Sequence, residues 1–427
     1  MTREELFAAA AACLPHAAHR PMRWFVPGRI EVLGKHTDYA GGRSLLCAVE
    51  RGFAVAATPR ADARVRLTDA FRGVCAELSL EGASVPRSGW TAYADAVVRR
   101  VARNFPGARV GADIAFASDL PPASGLSSSS ALVVAIFTAV SAVNRLEERA
   151  EYRREIRSAE DLAGYLGCVE NGYAFGALAG EAGVGTFGGS EDHTAILCCA
   201  AGELARYSFC PVRAEGRVKL PAGWTFAVAV CGIESDKTGS ARDKYNRASL
   251  AARAVLALWN ETTERADPTL AVAATGSPDA PERIRDVLGR RRHPGFSSDA
   301  LRARFDQFFE ESERLVPAAW EAFARADAES LSRIVDRSQE LAERLLGNQI
   351  PETVALARSA RNLGAIAASA FGGGFGGSVW ALVPSRDAAG FLEAWREDYR
   401  GRFPAAAAKA RFFRTGAAAG LSRVTSS

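Results

Sequence analysis

The chain has 427 residues, 48% of them hydrophobic and 24% charged, enough to bury two ordinary domain cores and too apolar for a disordered chain. Its 53 Lys and Arg against 49 Asp and Glu leave a net charge of +4, too thin over this length for a phosphate-tracking surface, so nucleic acid is not an expected partner. No window of about 18 apolar residues occurs and the N-terminal residues lack the apolar run of a signal peptide, so no membrane partner is expected and the cytoplasm is the expected location.

The eight cysteines, at 13, 47, 75, 168, 198, 199, 210 and 231, include no C-x-x-C pair, and the five histidines share no metal-ligand spacing with them. They read as reduced, buried, small apolar residues.

Residues 1–21 read as an amphipathic helix carried by Leu6, Phe7, Ala10 and Leu14, followed by short alternating strands over 48–57 and 65–80. Trp90, Tyr93, Ala94, Val97, Val98 and Val101 recur at helical spacing, and 114–118 is a short strand running into a serine-rich stretch. Apolar helices are predicted over 131–143 and 160–170. A strand over 224–230 opens the second half, where 248–259, 299–315, 317–324 and 330–346 read as helices and 379–383 as a strand. Residues 275–297, with Arg290-Arg291-Arg292-His293-Pro294-Gly295, read as a solvated loop, because charge runs face water. Helices and strands mixed in both halves predict an α+β protein with a cleft between domains.

Four stretches carry chemistry. Leu120-Pro121-Pro122-Ala123-Ser124-Gly125-Leu126-Ser127-Ser128-Ser129-Ser130-Ala131 sits between a strand and an apolar helix, where free N–H groups and the helix dipole face an anion and small side chains let phosphate oxygens approach. The serine hydroxyls add donors to phosphate and oxygen ligands for Mg²⁺. Alone, the stretch reads either as a nucleotide phosphate cradle or as a serine-rich turn with an N-cap.

The stretch 28–42, Gly-Arg-Ile-Glu-Val-Leu-Gly-Lys-His-Thr-Asp-Tyr-Ala-Gly-Gly, concentrates hydrogen-bonding side chains in a turn between strands, suited to a polyhydroxylated ligand or equally to a polar surface turn. In 185–194, Glu191 or Asp192 can serve as a general base or as a helix N-cap. The glycine cluster 372–377 around Phe375 allows close backbone approach to a ligand or a neighbouring loop.

In this order the four stretches resemble the GHMP small-molecule kinases, and 28–42 narrows the resemblance to the galactokinase branch, over about residues 23–416. The resemblance implies a two-domain GHMP kinase fold: an N-terminal domain like ribosomal protein S5 domain 2, here 1–217, and a ferredoxin-like C-terminal domain, here 218–427. It implies ATP-dependent phosphorylation of a monosaccharide, at the anomeric hydroxyl of galactose or a similar sugar, with ATP and Mg²⁺ as cofactors and a monomer or weak homo-oligomer as the assembly.

Carried residue by residue, it implies Asp192 as base with Arg29 beside it. Sugar contacts fall on Lys35, His36, Asp38, Gly189 and Tyr245, and ATP contacts on Pro121, Ser124, Gly125, Leu126, Ser127, Ser128, Ser129 and Ser130. The metal falls to Ser129 and a glutamate, with Glu170 preferred and Glu181 the rival. Lys237 is assigned to phosphate, to sugar or to a loop surface.

The sequence departs from the family at Glu31, usually asparagine, at Lys35, usually a glutamate, and at Ala123, usually glycine. Lys35 in the sugar turn suits a uronic acid such as galacturonate, which makes a galacturonokinase the alternative activity. The other reading is that Glu31 and Lys35 pair with each other, or that Lys35 turns outward, leaving a pocket for a neutral sugar. A catalytically silent sugar and ATP sensor is the rival from another class.

Overall fold

The computed structural model describes residues 1–15, 20–81, 87–233 and 242–424; Lys237 and the polar stretch 235–239 lie outside the described residues. The twelve described strands are β1 (Met22–Leu33), β2 (Arg43–Pro59), β3 (Arg64–Asp69), β4 (Val74–Ser79), β5 (Ala112–Ser118), β6 (Glu203–Ser208), β7 (Arg213–Lys219), β8 (Trp224–Val230), β9 (Ala367–Ala370), β10 (Ser378–Pro384), β11 (Arg411–Thr415) and β12 (Ser422–Arg423).

The first sheet runs β12-β1-β2-β5-β3-β4, with β6 on β2 and β7 on β6. Almost every residue of β1 is buried, which its apolar run requires. Its antiparallel register with β2 shifts between Pro27 and Arg29 and again between Glu31 and Leu33. Such irregularities re-aim side chains, and here they flank Arg29 and Glu31, the two buried charged residues of the strand. The helix Ser128–Asn144 is apolar on nearly all sides and is packed between the first sheet and the helices Trp90–Asn104 and Ala159–Asn171.

The second sheet runs β11-β8-β10-β9, all antiparallel. With the helices Pro351–Asn362 and Ala388–Arg402 it makes the β-α-β-β-α-β order of a ferredoxin-like domain. Phe226, Trp380, Leu382 and Phe413 from this sheet share one core cluster with Val26, Val49 and Val55 from the first. The expected division at 217/218 falls inside β7, and β12 carries the C-terminal end back to β1.

Between β8 and Pro351 the chain makes a helical layer. The expected solvated loop over 275–297 is mostly helix, Ala280–Arg290. Pro281 starts it, and Ile284 and Leu288 bury against Leu301, Phe305 and Phe308, so the apolar spacing prevailed over the charge density. Residues 276–279 and those beyond Arg290 keep the loop character. The predicted helix 299–315 is α-helical over Ser298–Glu310 and then widens to a π turn, Glu311–Leu315, a form frequent at functional sites. The described residues hold no helix long and apolar enough to cross a membrane. No cysteine is in a disulfide, but Cys13, Cys75 and Cys210 are exposed rather than buried.

Candidate active site

The serine turn links β5 to the helix Ser128–Asn144. Ser124 Oγ donates to Pro121 O at 2.7 Å, and Ser127 sits at φ 59° without capping the helix through its side chain. The first-turn N–H groups are therefore left for an external acceptor. On one side of the turn a wide cavity is walled by Phe71, Trp90, Tyr93 and Phe116, with Gly125, Ser127, Ser128 and Ser129 at its edge. Pro121, Ser124 and Leu126, expected as ATP contacts, do not line it. Pro121 lines a third cavity beside the turn, Ser124 bonds within the turn, and Leu126 is fully buried with its carbonyl accepting from Arg29 N at 3.3 Å.

On the other side lies a polar cavity lined by Arg29, Asp38, Ser130, Glu170, Asp192 and Tyr245, among others. The two cavities thus meet across neighbouring residues, Ser129 and Ser130. Asp192 stands in the first turn of the helix Glu191–Cys198, which Ser190 separates from the glycine pair at 188 and 189. Its Oδ1 accepts from Arg29 Nε at 2.8 Å and lies 2.6 Å from Arg29 Nη2, while Arg29 Nη1 donates to Gly125 O at 2.5 Å. One guanidinium therefore joins the acid to the serine turn. Burial alone would lower the Arg29 pKa, but Asp192, Glu191 and Glu31 raise it above its ordinary value, so the guanidinium stays charged.

Ser130 Oγ is 3.0 Å from Glu170 Oε2 and 3.4 Å from Asp192 Oδ2. Ser129, which the resemblance implied for the metal, faces the aromatic cavity instead; the hydroxyl at Glu170 is that of Ser130. Glu181 is held by Arg103 at 2.7 Å and Arg99 at 3.3 Å and lines neither cavity, which leaves Glu170 as the metal candidate. Ser130, Glu170 and Asp192 offer hard oxygen atoms only, the donor type Mg²⁺ takes. Among the described residues no cluster of three or more His, Cys, Asp or Glu is suited to a metal.

His36, Asp38, Gly189 and Tyr245 all reach the polar cavity. Asp38 accepts from Tyr39 N at 2.8 Å and from Glu191 N at 3.1 Å, tying the turn 34–42 to the helix that carries Asp192. Only glycine fits at 189, since a Cβ there would overlap Asp38 Oδ2. His36 Nδ1 is 2.9 Å from Tyr39 OH, and its ring lies 5.0 Å from that of Tyr245. Burial first, and then Asp38 and Asp192, push the Tyr245 hydroxyl well above its ordinary pKa.

Lys35 is the exception. It is fully buried, lines neither cavity, and donates from Nζ to Ser338 Oγ at 2.8 Å, with Glu311 Oε1 at 4.0 Å. Glu311 Oε1 also accepts from Gly34 N at 2.9 Å and from Lys35 N at 3.3 Å. A buried ammonium needs a counter-charge, and the helical layer supplies it away from the cavity.

The glycine cluster 372–377 closes the polar cavity with Gly372 and Gly373 and docks on the serine turn, where Ser378 Oγ donates to Ser124 O at 2.6 Å. Five lining residues were given no role from sequence: Glu31, Asn171, Thr186, Gly188 and His193. Asn171 holds the loop before Asp192, accepting from Gly188 N at 2.8 Å and Thr186 Oγ1 at 2.9 Å. Its position right after Glu170 was the signal available for it. Glu191, weighed only as a base or cap, is buried and accepts from Ser44 Oγ at 2.7 Å. Burial raises its pKa well above the usual range, and Glu31 and Asp38 add to the rise.

Comparison with known proteins follows the same lines. The galactokinase galactose-binding signature matches residues 16–59, the GHMP kinases N-terminal domain 92–174 and the GHMP kinases C-terminal domain 319–401. Galactokinase of Glaesserella parasuis serovar 5 is 27% identical over 391 residues, 88% of each chain. Galactokinase of Actinobacillus succinogenes is 37% identical over 114 residues, which span 26% of this chain and 30% of that relative. The structure of Lactococcus lactis galactokinase complexed with galactose superposes with a TM-score of 0.75 at 20% identity, covering 95% of both chains.

Proposed function

We infer the activity from the family to which this chain belongs, the GHMP kinases, within which it is a galactokinase-type sugar kinase. It phosphorylates a monosaccharide with ATP as donor, and we assign the transfer to the anomeric hydroxyl of a neutral, galactose-like sugar. The observation that carries this assignment is the Arg29–Asp192 pair: it lies in the polar cavity and is hydrogen-bonded to the serine turn through Gly125 O.

Phosphoryl transfer through a loose transition state needs alignment and charge compensation more than covalent help. In this reading the nucleotide base rests among Trp90, Tyr93 and Phe116, and the phosphates meet the N–H groups at the start of the helix Ser128–Asn144. The sugar is held by His36, Asp38, Gly189 and Tyr245. Asp192 orients the acceptor hydroxyl and takes its proton as the new P–O bond forms. Arg29 keeps that carboxylate ionised and aimed, since Oδ1 is engaged by the guanidinium and Oδ2 faces Ser130. Ser130 and Glu170 would hold Mg²⁺, with Ser129 on the phosphate side; when bound, the ion offsets phosphate charge.

The uronate alternative rested on Lys35, and that ammonium is spent on Ser338 and Glu311. The cavity presents Glu31, Asp38, Glu170, Glu191 and Asp192 against Arg29, an arrangement that disfavours an anionic sugar. A coupled ADP-release assay with galactose, arabinose, galacturonate and glucuronate tests the reading. The expected result is sugar-dependent ADP with a neutral galactose-like sugar; galacturonate preferred by orders of magnitude refutes the substrate class, and saturable sugar binding without ADP release refutes catalysis.

A further inference from the structure

We infer that Glu31 is a substrate-contacting, specificity-determining residue, whose carboxyl accepts a hydrogen bond from one hydroxyl of the neutral sugar. The inference rests on the sugar kinase reading and deepens it. Glu31 lies on β1 two residues after Arg29, between the two register shifts that set this part of the strand apart. It is 3% exposed and lines the polar cavity, yet its Oε1 has no hydrogen-bond partner. A buried carboxyl oxygen left unmatched is costly, and a ligand hydroxyl is the donor a polyol brings to such an atom.

The surroundings keep that place open. Gly372 lies against the carboxyl, where a Cβ would overlap Glu31 Oε2, so glycine here lets the side chain keep its place at the cavity wall. Burial raises the Glu31 pKa above its usual range, and Lys35, Arg29 and a hydrogen bond shared with Glu191 hold that rise back. Lys35 thus still serves the sugar site while facing away from it: the lysine supplies charge from behind, and Glu31 supplies the acceptor in front. Asparagine, usual here in the family, would offer a neutral amide in place of this carboxyl acceptor.

The test uses the purified full chain and galactose analogues that each lack one hydroxyl, with kcat/KM measured for wild type, Glu31→Ala and Glu31→Gln, and folding checked by thermal melting. Wild type is expected to reject at least one deoxy analogue by about 10²-fold or more, because a site built to bind a hydroxyl is left unpaired without it. In Glu31→Ala that penalty falls to within a few-fold while the penalties for the other analogues persist, and in Glu31→Gln it falls by less.

A merely structural role lowers kcat/KM for every sugar and leaves the pattern of penalties intact. That outcome, in a folded Glu31→Ala or, if alanine does not fold, in Glu31→Gln, overturns the inference. Wild type releasing no ADP with any sugar overturns instead the kinase reading beneath it, so the two failures are told apart by the wild-type rows alone.

Discussion

The two flanks of the serine turn solve opposite problems. On the flank assigned to the nucleotide, the groups are backbone N–H groups of the serine turn and aromatic faces, Trp90 and Tyr93 from one helix with Phe53, Phe71 and Phe116 from the first sheet and its loops. On the sugar flank they are buried ionisable side chains: Arg29 pairs with Asp192, Glu170 accepts from Ser130 and Asp38 accepts from Glu191 N, each across elements, while Glu31 keeps one carboxyl oxygen for a ligand. In the proposed reading the phosphate contacts come from one turn and the helix that follows it, while the polyol contacts depend on partners held by chain segments far from the cavity. The first should tolerate distant substitutions, and the second should not.

Four substitutions separate the flanks. The largest effect is expected at Asp192→Asn, which should lower kcat by about 10²- to 10⁴-fold through loss of the base, while calorimetry shows ATP affinity within twofold of wild type. Undiminished turnover would end the base assignment. Next, Lys35→Met leaves Glu311 buried beside Ser338 without its cation, and should cost about 3–5 kcal/mol in urea unfolding. The double variant Lys35→Met, Glu311→Gln should regain most of that loss; no regain would mean that the lysine is not there for the glutamate.

Trp90→Ala strips one wall from the aromatic cavity and should raise the ATP KM about tenfold, the equivalent of roughly 1.4 kcal/mol, with the sugar KM unchanged. A shift in the sugar KM of the same size would show that the flanks are not separable. The smallest effect is at Ala123, which sits at φ 49° where the family has glycine. Ala123→Gly should stabilise the fold by about 0.5–1 kcal/mol, seen as a raised melting temperature with unchanged kinetics.

The elements most legible in the sequence were those with a single dominant pattern. The run 224–230 is β8 to the residue, and the apolar stretch 131–143 lies inside Ser128–Asn144. The hairpin of β6 and β7 escaped notice because both strands alternate with polar and glycine residues at the margin of the sheet. The helix Ala280–Arg290 was obscured by its charges, although Ile284, Val287 and Leu288 mark an apolar face. In the site, Arg29, His36, Asp38, Gly189, Asp192 and Tyr245 could be named in advance and come together in one cavity. Glu31 and His193 could not, since nothing in their neighbours shows which way an acid on a strand or an imidazole on a short helix will face.

What reading the chain alone could establish was the kind of chemistry and the local geometry that goes with it: a strand, a small-residue turn and an apolar helix in succession aim N–H donors at an anion wherever they fold. Which charged side chains enter the cavity was settled by folding. Lys35 is drawn away by Ser338, 303 residues distant, and Ser44 anchors Glu191 across 147 residues. A charge can leave water only toward a partner, and those partners become neighbours only once the two sheets and the helical layer have packed together.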